Sequence, residues 1–497
     1  MEFAGTADEQ AIRRRNRTMK PSASRDRPIG DEELQRFRET ISGAVLDPAH
    51  PDYEEARKVW NGTIDRRPAL IAQCRSDDDV VAAVELAKQH DLLVSVRGGG
   101  HGVAGYAVCD EGLVIDLSPM RDVEVDVDAR LVRVQPGARW ADVDRATQPH
   151  GLATPGGEVS VTGVAGLTLG GGMGYLRRKH GLSCDNLVSA DVVTADGRKV
   201  HTSELEHPDL FWALRGGGGN FGVVTSFVFR LHPVGPEVVT LTPFFPLEDA
   251  RRVLSSWREF TESAPDEATT AFAVWAIPDD PELPEDLRGR PACILDGMYA
   301  GSPEAGEALF RPLREVATPL IDMSARTPYV EAQSALDPLF PDGGLYYWKS
   351  LFLDVLGDEA IEQILSRAQD RPNPRILVIL RHLGGALGRV ADDATAYSNR
   401  GAKYMLSIDG AWSDPAETER NIAWVREFWS AMRPFSNGGV YLNFPGFGEG
   451  GRELWKASHG ANFERLRAVK DRYDPGNLFR MNQNIRPTQA DATQANA

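Results

Sequence analysis

The chain has 497 residues, enough for more than one domain with sizeable buried cores. Its formal net charge of -17 argues against a general nucleic-acid binder and points to a soluble chain, without naming a substrate. No apolar run reaches membrane length, so neither a membrane nor a nucleic acid is expected as a partner.

Arg13-Arg14-Arg15 is not followed by the apolar stretch of an export signal, so a cytoplasmic protein is expected. Cys74, Cys109, Cys184 and Cys293 are scattered without zinc-ligand spacing. Free, mostly buried thiols in a reducing compartment are the expectation, with no metal site. Residues 1–30 and 488–497 are polar and read as disordered tails.

In chain order, Ser76 reads as a helix N-cap with Asp79 at capping-box spacing, followed by Val80, Val84 and Ala87 at helical spacing. A strand-like run over 92–96 then enters Arg97-Gly98-Gly99-Gly100-His101. Strands over 123–127 and 132–135 flank a turn at Asp128-Ala129, and a helix starts at Trp140. A second glycine zone, GGEVSVTGVAGLTLGGGMG, spans 156–174. Asp196-Gly197 is a hairpin turn between strands over 187–195 and 198–202. A short helix over 208–214 precedes a third glycine zone, 216–219, and a buried strand over 223–231.

Pro233 and Pro236 mark a boundary. Beyond it, long strands are expected over 238–244, 272–277, 293–299, 346–353 and 375–383. Helices fall between them, one capped by Ser413 and running through Trp424 and Trp429. This predicts a second domain, a sheet of five or more strands with helices on one face. Tyr473-Asp474-Pro475-Gly476-Asn477 reads as a turn.

None of the glycine zones has the GxGxxG context of a dinucleotide-binding βαβ unit, and none continues into the GK[ST] of a P-loop. The zones either make tight turns or touch one extended ligand at several places. For such a ligand, a dinucleotide, backbone N–H groups of Gly98–Gly100 and Gly170–Gly172 would bind the pyrophosphate.

Four stretches in order resemble the berberine-bridge-enzyme-like FAD-linked oxidases, within the wider vanillyl-alcohol-oxidase and p-cresol-methylhydroxylase fold group. They are RGGGH, GGEVSVTGVAGLTLGGGMGYLRRKHGLSCDNL, DLFWALRGGGGNFGVVTSF and YDPGNLFRMNQNI. The resemblance covers residues 55–487. It implies an α+β protein with a two-subdomain FAD-binding domain over 31–235, to which 455–487 returns, and an inserted substrate domain over 236–454. That insert would be a large, mostly antiparallel sheet covered by helices.

The resemblance also implies a covalent bond from His101 to the flavin 8α-methyl group. Many members carry a second bond, from a cysteine. Val159 stands about where it would lie, so a single attachment is expected. Cys184 lies outside the motif position and reads as a small buried residue. Arg97, Gly102, Gly157, Thr162 and Gly163 join the expected cofactor-binding set, with Gly166, Gly174, Val223, Asn482 and Asn484. Asn484 would meet the pyrimidine edge, and Val188 would fall where relatives tune oxygen access.

The activity implied is hydride transfer from a CH–OH or CH–NH group of a small organic or natural-product substrate to FAD. O₂ would reoxidise the flavin to give H₂O₂, with oxidative cyclisation an option. A dehydrogenase that does not use O₂, an oligosaccharide oxidase and a flavin-binding protein without turnover stay open. So does the choice between monomer and homodimer. In relatives the YxN motif supplies a tyrosine base, here Tyr441 before Asn443. Relatives often carry carboxylates on the strand before GGA, which here reads Ile379-Leu380-Arg381-His382-Leu383. Alternation puts Leu380 and His382 on one face and Arg381 on the other. His382 is therefore either an acid/base candidate or a structural histidine, and Lys349 either a catalytic or a solvent-facing lysine.

Overall fold

The structure is a computed structural model and describes residues 29–448 and 452–489. Most of both expected tails lies outside the described residues. At the C-terminal edge, Thr488 is tied down, its N–H and hydroxyl donating to the Asp471 carboxylate at 2.6 Å each.

Among the described residues, two larger sheets precede the proline boundary, and a two-stranded ribbon of Leu152–Ala153 with His232–Pro233 lies at it. The first has four strands in the order Val45–Leu46, Leu70–Gln73, Leu113–Asp116, Val94–Arg97, the last three parallel. The helix Asp77–Gln89 packs on it. Ser76 caps it as expected, its Oγ accepting from Asp79 N–H at 3.2 Å. The capping box is only half formed, because the Asp79 carboxylate accepts instead from Ser42 and from Arg75 N–H. The second sheet has five antiparallel strands, with Val223–Arg230 between Leu131–Val134 and Leu187–Val193. Both expected hairpins are present, and Gly197 supplies the positive φ of the Asp196-Gly197 turn.

Beyond the boundary a nine-stranded antiparallel sheet forms. Its central order is Pro291–Tyr299, Ala268–Ala276, Leu377–His382, Tyr404–Trp412, Leu345–Leu353. The run expected over 238–244 is two strands, Glu237–Leu241 and Pro243–Pro246. Tyr404–Trp412, buried on both faces, is a further strand beyond those expected, although Leu406-Ser407-Ile408-Asp409 alternates apolar and polar.

Period-2 alternation divides this sheet between two cores. Phe272, Val274, Val378, Leu380, Leu406 and Ile408 face the helices Ala250–Thr261, Pro303–Arg314, Asp358–Gln369 and Thr418–Met432. Ala271, Ala273, Ile294, Leu377, Ile379 and Ala411 face the other way, towards Trp60 and Val103 of the first region. Helices thus cover one face, as expected. The other face becomes the roof of a cavity. Ser413 does not cap the last of these helices; its Oγ takes the Arg375 guanidinium, and Asp414 caps the 3₁₀ turn before the helix.

Residues 455–487 pack back on the first region. Leu466, Val469, Tyr473 and Ile485 join the core of the five-stranded sheet. The expected turn after Tyr473 is organised by Asp474, whose carboxylate accepts from Leu478 N–H, Phe479 N–H and buried Lys470.

Candidate active site

A cavity of about 540 Å³ lies between the glycine zones and the roof of the large sheet. That is within the range of small-molecule and cofactor sites. Its floor begins where the parallel strand Val94–Arg97 ends, the usual place for a ligand in such a sheet.

The first glycine loop has the form of a cradle. Among the described residues, the N–H groups of Gly98, Gly99 and Gly100 donate to no protein acceptor. A Cβ on Gly98 would lie 2.7 Å from Pro136 O, and one on Gly99 would lie 2.5 Å from Gly163 Cα. The first two glycine zones therefore meet backbone to backbone. At Gly102, Gly166 and Gly219 a Cβ meets nothing, so side chains there would enter the cavity. Gly157, Thr162, Gly163, Gly170, Val223 and Asn482 also line it. Asn482 donates to Gly219 O and Phe479 O, leaving its buried Oδ1 without a partner.

Other expected cofactor ligands have different jobs. Arg97 forms a buried, two-pronged ion pair with Asp116 on the neighbouring strand, at 2.9 and 2.5 Å, and also donates to Ala56 O. Its guanidinium is thus a brace beneath the loop, with no free edge for phosphate. Gly170 and Gly171 N–H donate to Gly166 O and Thr168 O, so neither is free to bind pyrophosphate. Gly171, Gly172 and Gly174 are required by packing: a Cβ would meet Tyr397, Ser183 and Gly156 O, at 2.6, 2.2 and 2.3 Å. Asn484 is absent from the cavity wall, where Asn482 and Gln483 stand, although its buried Oδ1 has no partner. Val188 sits half-buried in the five-stranded sheet, also away from the cavity.

His101 lies in the wall with its ring stacked on Trp60 at 4.2 Å, and Trp60 stacks in turn on Tyr346 at 3.9 Å. Trp60 Nε1–H donates to Phe340 O, which fixes the stack. Burial, helped by Arg139, pushes the imidazole down to about 3, so it is neutral at physiological pH. Its buried Nε2 has no partner.

Tyr441 is also in the wall. Its oxygen accepts from Met173 N–H at 3.0 Å and from Asn443 Nδ2 at 2.9 Å. Asn443 is held by Leu167 O and lies where a Gly170 side chain would be, its Oδ1 2.1 Å from that Cβ position. The glycine therefore lets the YxN motif dock. Burial pushes the Tyr441 phenol up to about 12 despite these donors, so it is an O–H near neutral pH.

His382 and Lys349 do not reach the cavity. Strand alternation is as read from the sequence, but His382 points to the helix side, where Nε2 meets Arg178 at 3.0 Å beside Trp257. Burial and Arg178 push it down to about 2. Lys349 is buried too, its Nζ 3.7 Å over the Trp429 ring.

The opposite face of that strand presents Arg381 to the cavity, within a charged group the motifs did not reveal. Glu158 binds Arg177 at 3.0 Å and Arg381 Nε at 2.8 Å. Against the cost of burial, these two cations hold the Glu158 carboxyl below its usual range. Asp296 accepts from Tyr175 OH at 3.2 Å, and Asp409 from Ser407 Oγ. Burial pushes Asp296 to about 7 and Asp409 to about 6. A lone carboxylate inside an apolar strand, as in Ala292-Cys293-Ile294-Leu295-Asp296, is the sequence signal that could have found Asp296.

Residues 68–203 match the family model described as an FAD binding domain, and residues 440–486 the one described as berberine and berberine like. An FAD-linked oxidoreductase of Bacillus subtilis is 32% identical over 457 residues, covering 90% of this chain and 97% of that protein. The chain belongs to the berberine-bridge-enzyme-like FAD-linked oxidoreductases. Another member, (R)-6-hydroxynicotine oxidase of Paenarthrobacter nicotinovorans, is 30% identical, covering 90% of this chain and 97% of the relative. The crystal structure of 6-hydroxy-D-nicotine oxidase from Arthrobacter nicotinovorans superposes with a TM-score of 0.80 at 27% identity, covering 90% and 98% of the two chains. Xylooligosaccharide oxidase from Myceliophthora thermophila, in complex with xylobiose, gives 0.81 at 25% identity, covering 92% and 99%. The fold is therefore the PCMH-type FAD oxidase fold with its large antiparallel sheet, and FAD is the cofactor of this family.

The residues present fit that cofactor. Three free N–H groups in a glycine loop, orphaned polar atoms on His101 and Asn482, and glycines whose side chains would fill the cavity all suit a dinucleotide.

Proposed function

We propose that this FAD-linked oxidoreductase oxidises a CH–OH or CH–NH group of a small organic molecule, with FAD held by one covalent bond to His101 and O₂ as electron acceptor. The observation that carries this reading is His101: a neutral, stacked imidazole with an unpartnered buried ring nitrogen, at the head of a free-amide glycine loop. FAD, when bound, supplies the hydride acceptor. Val159, a cavity-wall residue where relatives place a second, cysteine tether, supports a single attachment.

The chain's own residues bind, orient and exclude water. Trp348, Phe340, Phe444 and Phe244 give the substrate side an apolar lining. Tyr441, its oxygen already accepting two N–H bonds, directs its own O–H to a third partner and so orients a substrate acceptor. Its high pKa makes it a poor proton acceptor near pH 7.

Rapid mixing of the dithionite-reduced protein with air-saturated buffer tests the acceptor. Recovery of the oxidised flavin spectrum within seconds, with stoichiometric H₂O₂, is expected. Recovery over many minutes would contradict an oxidase.

A further inference from the structure

The pairing of strands across the roof brings three residues into one row. Ala271 is in register with Asp296 on one side and with Arg381 on the other. The outer two line the cavity, and Ala271, in the apolar cluster on the same face, contributes only a methyl group. With strands about 4.8 Å apart, the Asp296 and Arg381 backbones stand roughly 10 Å from each other. Their side chains flank a notch over Ala271.

The two walls of the notch differ in kind. Arg381 is 6% exposed; its Nε is engaged by Glu158, but its buried Nη1 has no acceptor. A guanidinium only donates, so this position asks for an oxygen. Asp296 is half-buried and lines the cavity, and among the described residues its carboxylate accepts from Tyr175 OH. A carboxylate accepts, so this position asks for a proton donor. A hydroxyl meets both demands at a single atom, its oxygen accepting from Arg381 while its hydrogen goes to Asp296. An aliphatic amine meets them less well, because near pH 7 it is mostly an ammonium, which cannot accept from Arg381.

We propose that the notch over Ala271 holds the hydroxyl of a secondary alcohol on an aromatic or apolar scaffold, with Arg381 Nη1 binding its oxygen and Asp296 accepting its proton. The assignment rests on the FAD-linked oxidation proposed above. In the step, the C–H bond breaks with its electron pair passing as hydride to FAD, which is reduced. The O–H bond breaks with its proton passing to the Asp296 carboxylate, and C–O becomes C=O. Aromatic walls from Trp275, Trp348 and Phe340 suit a ring beside the reacting carbon. The groups that set the charge state of Asp296 come from every side of it: Glu158 from the second glycine zone, Tyr175 just after it, Arg177 from the helix that follows, and Arg381 from the roof. Burial and Glu158 raise its pKa to about 7, a value suited to a base at neutral pH.

The test uses the intact FAD-bound protein, Asp296→Asn and Asp296→Glu. Under anaerobic conditions each is mixed with 1-phenylethanol, 1-(4-hydroxyphenyl)ethanol and the matching primary amines, and flavin bleaching is followed against pH. Infrared titration of the carboxyl band, wild type against D296N, reads Asp296 independently of turnover. The expected result is that an alcohol bleaches the flavin and its amine does not. D296N should slow bleaching about 100-fold or more, while D296E recovers part of the rate. The wild-type rate should fall tenfold per pH unit below about 7, and D296N should lose one titrating carboxyl near that pH. Bleaching by amines only, no bleaching of a dithionite-reducible flavin by either set, or a D296N rate within threefold of wild type would each overturn the assignment. A protein that retains no FAD would overturn the reading beneath it, and the assignment with it.

Discussion

Asp296, Asp409 and Tyr441 show how one cavity gives different groups different work. All three are pushed upward in pKa by burial, but only the two carboxyls come to rest near neutrality. Tyr441→Phe removes the O–H that orients substrate while leaving the ring packed against Phe444. Flavin reduction by an accepted substrate should slow about 10- to 100-fold, with FAD content kept and the thermal midpoint lowered because Met173 N–H loses its acceptor; a full wild-type rate in stopped flow would remove Tyr441 from the site. Asp409 has a consequence for stability. Its carboxyl binds its proton up to about pH 6 in the fold but only to about 3.8 when unfolded. Its contribution is therefore present below pH 4 and is lost as the pH rises towards 6 and beyond, on the order of 2–3 kcal/mol. Thermal midpoints at pH 4.5 and 7.5 should fall more steeply with pH in the wild type than in Asp409→Asn. Parallel slopes would mean that Asp409 is not held neutral.

At the scale of elements, the glycine loop and the roof strands each make a claim. Gly99→Ala sets a methyl group against Gly163 Cα, so the loops must part; a loss of about 1–3 kcal/mol in stability and a loss of FAD are expected. Gly102→Ala, with open space at its Cβ, should keep the wild-type midpoint while lowering FAD occupancy, because its methyl enters the cavity. Equal thermal midpoints for the two variants would contradict the packing described. The glycine zones, the hairpins and most roof strands were legible because turns and apolar runs are local signals. The YxN and RGGGH motifs likewise led to Tyr441 and His101, both in the cavity wall. Which face of a strand looks at the cavity is not a local signal. Leu377–His382 has every residue buried, so alternation separated Arg381 from His382 without saying which one faced the site. Lys349 escaped for the same reason: the helix Thr418–Met432 covers it, a fact of packing rather than of spacing. Tyr404–Trp412 carries only a short alternation, Leu406-Ser407-Ile408-Asp409, and Asp409 went unnoticed with it.

At the scale of the whole molecule, one cavity collects its walls from distant parts of the chain. Residues 98–102 and 157–170 form the floor, 296 and 381 the roof, and 441–445 with 479–483 the C-terminal side. Such a site exists only when the sheet Pro291–Tyr299 to Leu345–Leu353 is seated on the first region. Asn61 ties that seat, donating to Val103 O at 2.7 Å and to Tyr346 O at 3.0 Å while accepting from Tyr346 N–H. Asn61→Ala leaves these buried groups unpaired, and should lower the thermal midpoint and the FAD content together. Unchanged FAD content in a destabilised N61A would separate the seat from the cofactor site. The central claim is the tether. The direct measurement is acid precipitation of the purified protein, followed by mass spectrometry of its proteolytic peptides. The account predicts a yellow pellet and a single flavinylated peptide containing His101, with His101→Ala releasing its flavin to the supernatant. Flavin released from the wild type, or found on any other residue, would contradict it.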